Sequence, residues 1–185
     1  METSYYLSKV IDELSYSINQ ISDAEAESLV NMMTTSSKVF VAGAGRSGLI
    51  AKSFAMRMMH MGINSYVIGE TVTPNVEQND LLIISSGSGE TKSLVSMAEK
   101  AKSLEAKLAI VTILPESTIG KLADITVKLP GSPKDKETSK YMTIQPMASL
   151  FEQTLLVFYD ALILRYMEKN SLYSDSMFSR HANLE

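Results

Sequence analysis

From Ser4 to Ile21, apolar residues return every three or four positions, at Leu7, Val10, Ile11, Leu14 and Ile18, the spacing of one helix face. Ser22-Asp23-Ala24-Glu25 fits a capping box, in which Ser and Glu each satisfy a free backbone donor, and it predicts a second helix to about Thr34. The pattern then changes. Val39 to Ala42 is a short unbroken apolar run that ends in glycines, as a strand buried on both faces does. Ser47 to Met61 reads as a helix with Leu49, Ile50, Phe54, Met58 and Met61 on one side, and Tyr66 to Ile68 as a second strand. Asp80 precedes a third strand, Leu81 to Ile84, which ends in a Gly/Ser cluster. Thr91 to Leu104 is the next helix, Leu108 to Ile113 a fourth strand, Ser117 to Ala123 a short helix and Ile125 to Leu129 a fifth strand. Pro130 to Lys140 reads as one long loop.

Ile144 to Met167 is apolar enough to raise the question of a membrane span, but Glu152, Asp160 and Arg165 interrupt it, and charges there are costly in lipid. A buried helix is the expectation. Strands alternating with helices predict an α/β fold, an open parallel sheet with right-handed crossovers and helices on both faces. Ligands of such sheets bind at the carboxyl ends of the strands, where strand order reverses.

Composition narrows the function. The chain has 185 residues, 45% of them apolar, which is one domain's worth with a real core. We expect residues 1–35 to form N-terminal helices of that domain and residues 168–185 a tail. A net charge of −4 argues against nucleic acid as a partner, because that binding needs excess Lys and Arg against phosphate. With no Cys, disulfides, Cys-ligated zinc and thiol nucleophiles are excluded. Glu2, Asp12 and Glu13 stand where a signal peptide would be basic and then apolar, so a cytoplasmic protein with no membrane association is expected.

Two loops carry the candidate chemistry. Gly43-Ala44-Gly45-Arg46-Ser47-Gly48 follows the first strand, and Ser86-Gly87-Ser88-Gly89-Glu90-Thr91 follows the third. Each lies between a strand and a helix, where glycine lets the backbone approach a ligand and the helix start offers free N–H groups. Ser86, Ser88 and Thr91 add three hydroxyls, a donor set suited to one phosphate monoester. The competing reading is a nicotinamide cofactor. Gly43, Gly45 and Gly48 satisfy G-x-G-x-x-G, and Glu70 lies where a ribose-binding acid would sit. A dinucleotide fold has no need of the second loop, however, and no room remains for a substrate domain.

GAGRSG and SGSGET together resemble the sugar isomerase (SIS) domain family, whose S-x-S-G-E-T loop binds the phosphate of a sugar phosphate. AGAGRSGLIAKSFAMRMMHMG, LPGSPKD, IQPMASLFEQ and HANLE extend the resemblance over nearly the whole chain, to the 6-phospho-3-hexuloisomerase branch of that family. It implies a five-stranded parallel sheet, flavodoxin-like in outline, in a three-layer sandwich, and a homo-oligomer, a tetramer. It implies transfer of a carbonyl between C-2 and C-3 of a hexulose 6-phosphate through a cis-enediol, with no metal or organic cofactor. The product would be fructose 6-phosphate, and a hexulose-phosphate synthase would be the pathway partner. An arabinose 5-phosphate-type isomerase and a sugar-phosphate sensor without catalysis are the alternatives. By the same resemblance Ser86, Ser88 and Thr91 hold phosphate with the amides of Gly87, Gly89 and Glu90, Ser47 contacts substrate, and Glu152 is the base.

Enediol chemistry needs one group to move a proton between neighbouring carbons and another to stabilise the oxyanion. Glu152, on a helix apolar almost all round, fits the first role, although solvent or a Lys or Arg partner would also account for it. Arg46 is the natural cation for the oxyanion or the substrate hydroxyls; otherwise it is a surface ion-pair member. Glu90 at a helix start is the second candidate for the base. Of the two His, His181 is preferred over His60 as a proton shuttle between the enediol oxygens, because the polar tail has no evident core to join. The apolar excess on the first helix and on Ile144–Met167, and the cluster Met56, Met58, Met59 and Met61, point to subunit contacts.

Overall fold

The computed structural model describes residues 2–132 and 143–184. Most of the loop expected over 130–140, with the end of LPGSPKD, lies outside the described residues. The elements in chain order are α1 (Thr3–Ile18), α2 (Asp23–Thr35), β1 (Val39–Gly43), α3 (Gly45–His60), β2 (Ser65–Val67), β3 (Leu81–Ser85), α4 (Lys92–Ser103), β4 (Lys107–Thr112), α5 (Thr118–Leu122), β5 (Ile125–Lys128), α6 (Ser149–Lys169) and α7 (Ser174–Phe178). The strands form a parallel sheet of order β2-β1-β3-β4-β5, in which Gly43 of β1 stands level with Ser85 of β3. Strand order therefore reverses between β1 and β3, the two strands that carry the glycine-rich loops.

Strand side chains alternate between two cores. Val39, Val41, Leu81, Ile83, Ala109, Val111 and Val127 pack with α2, α3 and α6 on one face. Phe40, Ala42, Leu82, Ile84, Leu108 and Ile110 pack with α4 and α5 on the other. Because both faces are covered, the central strands β1, β3 and β4 read as nearly continuous apolar runs. Asp80 is a buried carboxylate that serves the fold. It accepts from Lys38 N at 3.1 Å and Glu77 N at 2.8 Å, joining the starts of β1 and β3.

Several local expectations need correction. Ser22 caps α2 by accepting from Glu25 N at 3.3 Å, but the Glu25 carboxylate accepts from Lys128 N at 2.8 Å instead of closing the box. The buried face of α3 is Ser47, Ala51, Phe54, Ala55 and Met58, so Leu49 points outward at 66% exposure. Met58 and Met61 lie in the core, whereas Met56 and Met59 are exposed. α6 starts at Ser149 and not at Ile144, because Pro146 and a left-handed Met147 (φ 54°) turn the chain just before it. The turn is held from α1: the Glu13 carboxylate accepts from Thr143 Oγ1 at 2.6 Å, Ile144 N at 2.9 Å and Gln145 Nε2 at 2.8 Å. The tail does find a core, since Leu172 and Met177 pack against the α6 side of the sheet. Among the described residues no helix is long and apolar enough to cross a membrane.

Candidate active site

The first loop is built by contact between two glycines. A β-carbon on Gly48 would lie 2.6 Å from Gly43 O, and one on Gly43 would lie 2.9 Å from Gly48 Cα, so only glycine lets α3 start directly against the end of β1. This close packing accounts for the first and last glycines of G-x-G-x-x-G without a dinucleotide. Glu70 is ion-paired to Lys52 at 3.2 Å, and neither residue lines the cavity described below. In the second loop Gly89 takes φ +62°, and its N–H donates to Ser86 Oγ at 3.1 Å, while Glu90 N donates to Ser88 Oγ at 3.2 Å. The loop is thus curled on itself ahead of α4, whose N-cap is Thr91.

Between the two loops and the start of α6 lies a cavity of about 390 Å³, lined by Arg46, Ser47, Ser85, Ser86, Gly87, Ser88, Thr91, Ala148, Phe151 and Glu152 among others. That volume falls in the ~300–1,000 Å³ range of small-ligand sites. The starts of α3, α4 and α6 all meet here, and three helix N-termini give the cavity a positive dipole field suited to an anion. Among the described residues the only carboxylate in the lining is Glu152, in the first turn of α6. Its Oε2 lies 2.8 Å from Arg46 Nε, with the Glu152 side chain 12% exposed and that of Arg46 62%. The two residues singled out for base and cation are therefore each other's partner, the carboxylate sheltered and the guanidinium facing solvent.

Six of the expected phosphate and substrate residues, Arg46, Ser47, Ser86, Gly87, Ser88 and Thr91, come together with Glu152 around this space. Gly89 and Glu90 do not line it. The Glu90 carboxylate turns to α5, accepting from Thr118 N at 2.7 Å and Thr118 Oγ1 at 2.8 Å, and those bonds hold its pKa below the usual carboxylate value. Its geometry suits a brace between loop and helix, not a base. His181 lies elsewhere in its own chain. Its ring stacks on that of His60, centroids 5.3 Å apart, at the far end of α3, which at ~1.5 Å per residue is ~20 Å from the first loop. Among the described residues no group of three or more His, Cys, Asp or Glu is placed to hold a metal ion. A larger apolar hollow of about 810 Å³ between α1, α2 and α6 contains none of the candidate residues.

Residues 32–165 match the SIS domain model, so the chain belongs to the SIS domain family. Within that family it is 57% identical, over the full length of both chains, to a 3-hexulose-6-phosphate isomerase of Bacillus subtilis. It is 38% identical to a 3-hexulose-6-phosphate isomerase of Mycobacterium gastri, over 97% of this chain and 89% of the other. A solved structure from Methanococcus jannaschii, from which a molecular function of 3-hexulose-6-phosphate isomerase was inferred, superposes with a TM-score of 0.83 at 34% identity, covering 98% of this chain and 99% of that one.

Proposed function

We propose that the chain is an isomerase that converts D-arabino-3-hexulose 6-phosphate to D-fructose 6-phosphate. The observation that carries the reading is the meeting of a phosphate-type loop and one sheltered carboxylate in a single cavity. The full-length likeness to 3-hexulose-6-phosphate isomerases supports the choice of sugar.

The phosphate would sit on the hydroxyls of Ser86, Ser88 and Thr91 and the amides of the 86–91 loop, opposite charge being supplied by the start of α4. Two of those amides, Gly89 N and Glu90 N, are bonded to Ser86 and Ser88 within the loop, so phosphate exchanges internal bonds for its own. Held there, the sugar extends toward Ser47, Arg46 and Glu152. The substrate's C-2 hydroxyl pulls Arg46 away from Glu152, and the freed carboxylate takes the proton from C-2. Electrons move into the C-2–C-3 bond, the C-3 carbonyl oxygen becomes an enediolate, and the Arg46 guanidinium stabilises it. Glu152 then returns its proton to C-3 while the O-2 proton passes to O-3, leaving a carbonyl at C-2. No atom or electron is gained or lost.

The proton passing between the oxygens is the step assigned to His181. Because His181 lies far from its own cavity, the reading places it in the cavity of a second copy. Oligomerisation is favoured by the apolar side chains left exposed on α1 (Leu7 60%, Ile11 53%) and α3 (Leu49 66%). A cytoplasmic tetramer, with the N-terminal helices and tail as parts of one SIS domain and a hexulose-phosphate synthase supplying its substrate, completes the proposal. The test is a coupled assay with ribulose 5-phosphate, formaldehyde and a hexulose-phosphate synthase, with fructose 6-phosphate read as NADPH formation. Turnover is expected. Isomerisation of arabinose 5-phosphate in its place would overturn the choice of sugar, and inactivity on both would favour a sensor.

A further inference from the structure

Glu152 and Tyr159 stand seven residues apart on α6, two turns along the same side of the helix. Tyr159 is buried, at 2% exposure. Its ring stacks on Phe54 of α3, with centroids 4.0 Å apart and planes within 3°. Its hydroxyl shares a 2.6 Å hydrogen bond with Ser85, the last residue of β3. Among the described residues this is the one buried side-chain hydrogen bond between α6 and the sheet. The three elements it touches are those that build the site: α6 brings Glu152, α3 brings Arg46 and Ser47, and β3 leads directly into the Ser86–Thr91 loop.

We infer that Tyr159 is a positioning residue: through its bond to Ser85 it sets the distance from the Glu152 carboxylate to the phosphate loop, and so which carbon of the sugar meets the base. The inference rests on the reading above that phosphate binds at 86–91 and that Glu152 moves the proton. A sugar anchored by its phosphate presents a ladder of carbons, and neighbouring rungs differ little in reach. A misplacement of ~1 Å at such a site can cost ~100-fold in rate. Apolar burial is non-directional and does not by itself fix how far a helix sits along a sheet, whereas a short directional bond at the strand end does. Burial pushes the Tyr159 hydroxyl pKa well above its ordinary value, so the bond keeps its proton at any working pH. Stability gives the pair no separate reason to exist, because replacing both partners of a buried hydrogen bond by apolar groups of like shape is close to neutral.

That last point supplies the test. The double variant Tyr159→Phe/Ser85→Ala keeps the ring stack and leaves no orphaned hydroxyl, so it should melt near the wild-type temperature. Its kcat for the hexulose phosphate should still fall about 10- to 100-fold, with KM within about threefold, since the phosphate donors are intact. In crystals, the Glu152 carboxylate should move relative to Ser88 Oγ by more than ~0.5 Å, the tolerance of a productive site. A double variant with wild-type kcat, or one whose site superposes on the wild type, overturns the inference. Wild-type protein with no turnover refutes the sugar-phosphate reading instead, and the crystallographic distance then still decides the positioning.

Discussion

Substituting Gly89 by Ala tests whether the second loop is shaped by backbone geometry, and the structure allows the cost to be worked out. Gly89 sits at φ +62°, a left-handed conformation that costs a residue with a β-carbon ~1–2 kcal/mol. The new methyl would also lie 2.0 Å from Ser117 Oγ and 2.6 Å from Ser117 Cβ. Ser117 cannot remain there, yet its Oγ is the N-cap of α5, accepting from Gly120 N at 3.2 Å. Losing such a cap costs ~1 kcal/mol. The sum is about 2–3 kcal/mol, which for a chain of this size lowers the melting temperature by roughly 5–10 °C. Urea unfolding followed by circular dichroism measures it. Ser117→Gly removes the obstructing atoms at a cost of only a few tenths of a kcal/mol. In that background Gly89→Ala should therefore cost only the ~1–2 kcal/mol of the backbone. Two results would show that the loop is not built this way. One is a Gly89→Ala protein within ~0.5 kcal/mol of wild type. The other is a loss on Gly89→Ala that is as large in the Ser117→Gly background as in the wild type.

Glu90→Gln should keep turnover within about threefold, because its carboxylate braces Thr118 and does not face the cavity; a loss near ~100-fold would transfer the role of base to it. Glu27 is held at a pKa of about 2, against an ordinary 4.5, first by its bond to Arg165 and then by Lys169. Its folded pKa is depressed, so its contribution is complete above pH ~4.5 and disappears as pH falls toward ~2. Glu27→Gln should flatten the acid limb of a stability–pH curve in that window, and parallel curves would contradict the assignment. Burial, and then the charges of His181 and Arg57, lower the pKa of His60 from 6.5. Docking of the tail on α3 is thus strongest above pH ~6.5 and is lost as pH falls through the lower folded value. Amide protection over residues 177–181, corrected for the intrinsic pH dependence of exchange, should fall as pH is lowered below ~6.5 in step with protonation of His60, and a flat profile would refute the coupling.

How far the sequence could be read depended on whether a feature is local. The three central strands were legible because a sheet covered on both faces leaves unbroken apolar runs, as at Val39–Ala42 and Leu81–Ile84, and the loops because glycine and serine cluster at the ends of those runs. Leu7, Ile11 and Ile18 have the spacing of a buried helix face yet remain more than half exposed, since periodicity reports a helix without reporting what it packs on. The late start of α6 depends on Glu13, about 130 residues earlier in the chain, which no local pattern reveals. The same holds for Ser85 and Tyr159, 74 positions apart, and for the direction in which Glu90 turns. Glu152 could be singled out because a carboxylate on a helix apolar almost all round is a costly charge and because LFEQ carries the family resemblance; its first-turn position and its pairing with Arg46 could not.

The decisive measurement is turnover of Glu152→Gln in deuterated water beside the wild type, with product examined by NMR. Gln keeps the shape and removes the base. Wild type should release fructose 6-phosphate carrying deuterium at C-3 to the extent that the proton held by Glu152 exchanges with solvent before its return, and the variant should lose at least ~100-fold in kcat with KM little changed. A Glu152→Gln protein within tenfold of wild type would contradict the assignment of the proton transfer to that carboxylate.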